Sequence, residues 1–241
     1  MDIGGRVAIV TGGAMRLGRA LALALAQNGA RVVVHYGSSF DAAQETLTHI
    51  RAVSDGIALA ADLQDVAQAR GVVERAAQHF GQVDILVNSA AIFEPGDIFS
   101  TSEADWERHF AINLKAPFFL SQTFAAHVGR ERRAHIINIA DWRALRPGPD
   151  YAAYTLTKAA LVTMTYSLAR ALAPNIQVNA IAPGLILPPP GQDASYLERK
   201  AQAIPARRAG SPDEIVRAML YLLQSDFVTG EVIFVTGGEH L

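Results

Sequence analysis

The sequence predicts an α/β fold: a single Rossmann-type domain, with a doubly wound parallel sheet of about seven strands covered by helices on both faces. Three observations predict it. Short apolar runs alternate with helix-length segments along the whole chain. Several of these runs, "DILVN" and "HIINIA" among them, are apolar almost throughout, as strands buried on both faces must be. A glycine-rich turn, "GGAMRLG" (Gly12 to Gly18), stands between the first apolar run and the first helical run. That is where such folds cradle a phosphate, because free N–H groups at a helix start favour an anion.

Taken in order, the first strand is read at Val7–Thr11, and the alanine-rich "RALALALAQNG" after the turn reads as helix. The second strand is read at Arg31–His35, the third at Gly56–Ala60 and the fourth at Val83–Asn88. His135–Ala140, Gln177–Ile181 and Val232–Val235 complete the set. A helix start is marked at Ser211 by a Ser cap, Pro212 at the first helical position and Glu214 three residues after the cap. "RPGPD" (146–150) and "LPPPGQD" (187–193) read as loops. No linker divides the chain, so residues 1–241 are expected to form one domain. In open α/β sheets the ligand crevice lies beyond the carboxyl ends of the strands, and the residues discussed next cluster there.

The 241 residues are 50% apolar and 18% charged, which favours a sizeable core over disorder. The formal net charge is −2 and no basic block stands out, so no nucleic-acid partner is expected. The absence of cysteine excludes disulfides, thiol catalysis and Cys-ligated zinc. The seven histidines show no paired ligand spacing, so no metal is expected. The beginning of the chain carries only a four-residue apolar run, neither a signal peptide nor a membrane span, and a soluble, cytoplasmic protein is expected.

Two constellations carry chemistry. The second strand ends "VVVHYGSS", and the first acid after it is Asp41. Readers of NAD often place an acid at that strand end to bind the ribose hydroxyls. A carboxylate there would repel a 2′-phosphate, so its absence points to NADP(H), with Ser38, Ser39 and the His35 region as hydrogen-bond donors. Further on, "YAAYTLTKAAL" places Tyr154 and Lys158 four residues apart, on one face of a helix. An ammonium beside a phenol is expected to lower the phenol's pKa, which suits Tyr154 as a general acid.

Together with "NSAA" (88–91) and "INLKAPFFL" (112–120), these segments resemble the short-chain dehydrogenase/reductase family over essentially the whole chain. The family's turn appears at Thr11–Gly18 with Arg16 in place of a glycine, its adenine contact as "ADL" with Asp62, and its "NxxxPG" as Asn179 to Gly184. The resemblance implies a homotetramer. It implies Tyr154 as proton donor, Lys158 holding the nicotinamide ribose, and Asn113 helping to carry a proton-relay water. It places the cofactor against Gly12, Arg16, Leu17, Gly18, His35, Tyr36, Ser38, Ser39, Asp62, Leu63, Asn88, Ala90, Tyr154, Lys158, Pro183, Gly184 and Ile186. It also makes residues 185–205 part of a lid over the substrate, and takes the C-terminal "GGEHL" towards a neighbouring subunit.

One position departs from the family. Where most members carry a serine, thirteen residues before the tyrosine (154 − 141 = 13), this chain has Asp141. A hydroxyl stabilises a developing alkoxide, whereas an ionised carboxylate would repel it by about 4 kcal/mol at 4 Å and an effective dielectric near 20. Asp141 therefore suits a heterocycle that presents N–H donors or takes a proton on a ring nitrogen. The pteridine reductases are similar here, and also in Arg16 of the turn, in His35-Tyr36 and in Phe93. That resemblance implies hydride transfer to C6 and proton transfer to N5 of a 7,8-dihydropterin, with Asp141 and Tyr154 as the acid pair. Arg16, Phe93, Asp141 and Tyr154 would form the substrate site. Arg16 would bridge phosphate and pterin oxygen, and Phe93 would stack on the ring. Two rival readings stand beside it: a carbonyl reductase acting on a 3-oxoacyl thioester, and a non-catalytic NADP-binding regulator.

Overall fold

The computed structural model of the protein describes residues 1–189 and 191–241. Strands β1 (Val7–Val10), β2 (Arg31–Tyr36), β3 (Gly56–Ala60), β4 (Ile85–Asn88), β5 (Ala134–Ile139), β6 (Ile176–Pro183) and β7 (Val232–Val235) form one sheet in the order β3-β2-β1-β4-β5-β6-β7. Every neighbouring pair is parallel. The helices are α1 (Arg16–Gln27), α2 (Phe40–Arg51), α3 (Val66–Phe80), α4 (Glu103–Phe110), α5 (Ala116–Val128), α6 (Ala152–Leu172), α7 (Ala194–Ala201) and α8 (Pro212–Gln224). The fold is the expected one, a single α/β Rossmann-type domain.

Alternation along the strands sends side chains into two cores. Ala8 and Val10 of β1 join Leu21, Leu25, Ile50, Ile215 and Met219 beneath α1, α2 and α8. Val7 and Ile9 face the other way, with Val73, Leu120, Phe124 and Val178 beneath α3 and α5. The inner strands β1, β4 and β5 are thus buried throughout, which is why the sequence shows runs there rather than alternation.

Helix ends follow their local chemistry. The Asp65 carboxylate accepts from the N–H groups of Ala67 and Gln68 to start α3, and Gly81, at φ 79°, ends it. The expected start of α8 is present: Pro212 is its first residue, and the Ser211 N–H donates to Glu214 Oε2 at 2.9 Å. Strand bounds differ slightly from expectation. The fourth strand begins at Ile85 rather than Val83, because Asp84 turns its carboxylate back to accept the Val7 N–H at 2.9 Å. The sixth runs on to Pro183, paired with Val235, and so carries the Pro-Gly step to the carboxyl end of the sheet.

The sheet order reverses between β1 and β4. Their carboxyl ends diverge there and leave a crevice, and the adjoining end of β5 opens into a second one.

Candidate active site

The turn after β1 is built around glycine. Gly12 has φ 64°, and a Cβ there would lie 3.0 Å from Ala90 Cα. At Gly18 a Cβ would lie 2.1 Å from the Gly12 carbonyl oxygen. Only a bare backbone lets α1 start this close to β1, with its first N–H groups open towards the crevice. A cleft of about 710 Å³ follows the turn. Gly12, Arg16, Leu17, Gly18, Ser38, Asp62, Leu63 and Ala90 line it, as do Met15, Gly37 and Ala91. With no acid at the end of β2 and a phosphate-type turn at one side, the cleft fits a dinucleotide carrying a 2′-phosphate.

Three residues expected at this cofactor, Asn88, Tyr36 and Ser39, lie off the cleft, and a fourth, His35, lines it while serving the frame. His35 edges the cleft but is 2% exposed, and both ring nitrogens are engaged. Nδ1 accepts from the Gly12 N–H at 3.1 Å, which leaves Nε2 to donate to the Ala61 carbonyl at 3.1 Å. Burial lowers its pKa to about 4, so the ring is neutral and has no donor left for a phosphate. Asn88 is buried, donating to Asn138 Oδ1 at 2.9 Å and Ser121 Oγ at 3.3 Å. Tyr36 packs edge-on against Phe40, and Ser39 sits at the start of α2; neither lines the cleft.

A second cavity, of about 740 Å³, shares Arg16, Leu17, Ser89 and Ala91 with the first. Phe93, Asp141, Tyr154, Lys158, Pro183, Gly184 and Ile186 line it. Asp141 starts a short 3-10 turn, Trp142–Ala144, and its Oδ1 accepts from the Arg143 N–H at 2.8 Å. The Arg143 guanidinium pairs with the same oxygen at 3.5 Å. Tyr154, thirteen residues on and in the first turn of α6, donates its phenolic O–H to Asp141 Oδ2 at 2.9 Å. Sequence-distant groups are therefore joined as one hydrogen-bonded unit.

The electrostatics of this pair differ from expectation. Burial, with the adjacent Asp141 charge, pushes the Tyr154 phenol well above its ordinary range. Lys158 does not offset this: its Nζ donates to the Ile139 carbonyl at 2.7 Å and lies 5.6 Å from the centre of the Tyr154 ring. Burial lowers the Lys158 pKa itself to about 8. The expected depression of the phenol by the ammonium is therefore corrected by the carboxylate that stands nearer.

Asn113 also has a structural part. It lies in a π-helical turn, Ala111–Lys115, between α4 and α5. Its Oδ1 accepts from the Ile92 N–H at 2.9 Å, while Nδ2 donates to the Ile92 carbonyl at 3.0 Å and Thr157 Oγ1 at 3.3 Å. With its amide engaged on both sides, the side chain clamps the segment before Phe93. Phe93, thus held, stacks on Tyr151 at 4.2 Å and 5°, and meets Tyr154 edge-on at 4.7 Å. Arg143 lies 5.7 Å from the Phe93 ring centre and 4.9 Å from that of Trp142.

Arg16, at φ 52°, belongs to both cavities, and its guanidinium donates to the Pro188 carbonyl. The turn and the strap after β6 are tied together by this contact. The expected lid contributes Leu185, Ile186, Leu187, Pro189, Tyr196, Lys200, Ala203, Ile204 and Pro205 to the cavity wall. Pro190, within the expected lid, lies outside the described residues. Sequence reasoning missed Arg143, Lys200 and Glu239 on this wall. Arg143 follows Asp141 by two residues and could have been found from it; Glu239 carries no local signal. The C-terminal tail, expected to reach a neighbouring subunit, here turns Glu239 and Leu241 into the cavity of its own chain.

Comparison with known proteins agrees with this fold. The family described as enoyl-(acyl carrier protein) reductase matches residues 12–240. An uncharacterized oxidoreductase of Methylorubrum extorquens is 37% identical, covering 97% of both chains. The 3-oxoacyl-[acyl-carrier-protein] reductase of Thermotoga maritima is 32% identical, with 99% of each chain covered. The crystal structure of FolM alternative dihydrofolate reductase 1 from Brucella suis, in complex with NADP, superposes with a TM-score of 0.93. It is 35% identical and covers 100% of this chain and 96% of that one.

Proposed function

The chain belongs to the short-chain dehydrogenase/reductase family and is an oxidoreductase of that type, and from that premise we propose that it reduces a 7,8-dihydropterin to the tetrahydropterin with NADPH. NADP(H) is the cofactor of the first cleft: the phosphate turn, Ser38 and the lack of an acid at the end of β2 fit it, and similar structures hold NADP or NADPH. When bound there, NADPH supplies a hydride. The residues that would hold it are Gly12, Arg16, Leu17, Gly18, Ser38, Asp62, Leu63 and Ala90, with Lys158, Pro183, Gly184 and Ile186 at the opening into the second cavity.

The observation that carries the reading is the Tyr154–Asp141 hydrogen bond on the wall of the second cavity. Reducing the N5=C6 bond adds hydride at C6 and needs a proton at N5. A phenolate left beside the Asp141 carboxylate would be costly. We assign the proton instead to a relay: as the Tyr154 hydroxyl turns from Asp141 and gives its proton to N5, a solvent proton reaches the Tyr154 oxygen by way of Asp141. The relay ends with a neutral phenol and an ionised carboxylate, which the Arg143 N–H and guanidinium stabilise. Phe93 offers the ring face turned away from Tyr151 to the flat heterocycle. Arg16 lines both cavities, and in this reading it leaves the Pro188 carbonyl to bridge phosphate and pterin oxygen.

Likeness to 3-oxoacyl reductases favours a second reading, a ketone or thioester reductase. Asp141 opposes it, because a carboxylate beside a developing alkoxide is repulsive. The deciding measurement is NADPH oxidation against dihydropterins, dihydrofolate and 3-oxoacyl thioesters. Dihydropterin turnover is expected to dominate, and to fall about 10²-fold or more in Asp141→Ser with NADPH affinity unchanged. Dominant thioester reduction, or a D141S variant as active on pterin as the parent, would defeat the reading. The proposal extends to a cytoplasmic homotetramer, which rests on the family resemblance. Among the described residues no helix is long and apolar enough to cross a membrane.

A further inference from the structure

The second cavity carries two carboxylates, and they are not in the same condition. Both oxygens of Asp141 are engaged: Oδ1 by the Arg143 N–H, Oδ2 by the Tyr154 hydroxyl. Glu239 accepts the Leu185 N–H through Oε2 at 2.9 Å. Among the hydrogen bonds of the described residues, none reaches its Oε1. The group is half-buried, and burial raises its pKa; its hydrogen bond to Leu185, together with Arg143 and Lys200, opposes that shift, while Asp141 adds to it.

Nor is Glu239 a loosely placed terminal residue. Gly237 and Gly238 turn the tail at φ 63° and 90°, and a Cβ at Gly238 would lie 2.9 Å from Pro205. His240 stacks on Phe234 at 4.6 Å and 16°, and its Nδ1 pairs with Thr236 Oγ1 at 2.7 Å. The carboxylate is thus fixed on the cavity wall from both sides. Its second oxygen stays open to the cavity, where a donor on a bound molecule can take the place of water.

We infer that Glu239 is a substrate-binding, specificity-determining residue: Oε2 anchors the root of the strap at Leu185, and Oε1 accepts a hydrogen bond from an N–H or O–H of the substrate. This rests on the pterin reading and deepens it. A heterocycle edged with donors completes the carboxylate's hydrogen bonding, and an apolar acyl chain leaves it unmet. The tail thereby sorts substrates against thioesters independently of Asp141.

The test is steady-state kinetics with 7,8-dihydrobiopterin as probe, alongside NADPH binding and thermal melting. In Glu239→Gln the new amide carbonyl can still take the Leu185 N–H, while the cavity-facing acceptor becomes a donor. KM for the dihydropterin is expected to rise about tenfold or more, as for loss of a hydrogen bond to a charged group, with a smaller change in kcat and unchanged NADPH affinity. Glu239→Ala, which loses both contacts, should raise KM at least as far. If E239Q does not fold, Glu239→Asp carries the same test, because it withdraws the carboxylate by one methylene and should raise KM in the same way. An E239Q variant that folds and keeps the parent KM would show that Glu239 only holds the strap, and would overturn the inference alone. No turnover of any dihydropterin by the unmodified protein would overturn the pterin reading and this inference with it.

Discussion

At the scale of single residues, the hydrogen bond from Tyr154 to Asp141 is the centre of the proposed chemistry. A phenol raised this far is a poor acid by itself, and it becomes a useful one only if its loss is made good in the same step. Tyr154→Phe removes the middle of the relay and should cost 10²-fold or more in kcat, with dihydropterin KM changed little. Rapid-mixing measurement of NADPH oxidation checks this; a loss under threefold would mean that Asp141 reaches the substrate directly. The pair was legible in the sequence because its spacing and residue types are local facts. The direction of the phenol's shift was not, because it depends first on how deeply the folded chain buries Tyr154 and then on the Asp141 charge against it. His35 shows the same limit. Its place at the end of the second strand was readable, but the commitment of both its nitrogens was not.

At the scale of elements, the β1–α1 turn shows how little room the cofactor site leaves. Gly18→Ala forces a methyl group to 2.1 Å from the Gly12 carbonyl, so the turn must open. Such overpacking costs about 1–3 kcal/mol. The N–H groups that face the phosphates would move with it. NADPH affinity should fall at least tenfold, measured by quenching of intrinsic fluorescence, and unchanged affinity would show that the turn does not hold the phosphates. The order of strands and helices was legible because buried parallel strands leave unbroken apolar runs. The π-helical turn at Ala111–Lys115 was not, since widening by one residue leaves no mark in hydrophobic spacing. Yet that turn is what aims Asn113 at Ile92.

At the scale of the whole molecule, two buried histidines link stability to acidity. Burial holds both His35 and His135 near pKa 4, against about 6.5 in the unfolded chain. Between those values the unfolded chain binds more protons, so this contribution is complete above pH 6.5 and is lost as the pH falls towards 4. At most about 3 kcal/mol is at stake for each ring. Urea titrations at pH 7.5 and 5.0 should show the midpoint falling on acidification, and His35→Asn should flatten that dependence. An equal slope in the variant would exclude His35 as a source.

The parallel sheet has one further consequence. Because every strand points the same way, both openings lie along a single rim, and residues 129–133, the exposed bend entering β5, lie on the opposite one. A tether grafted at that bend would let the protein be mounted on an electrode or bead with its working side facing the bulk liquid.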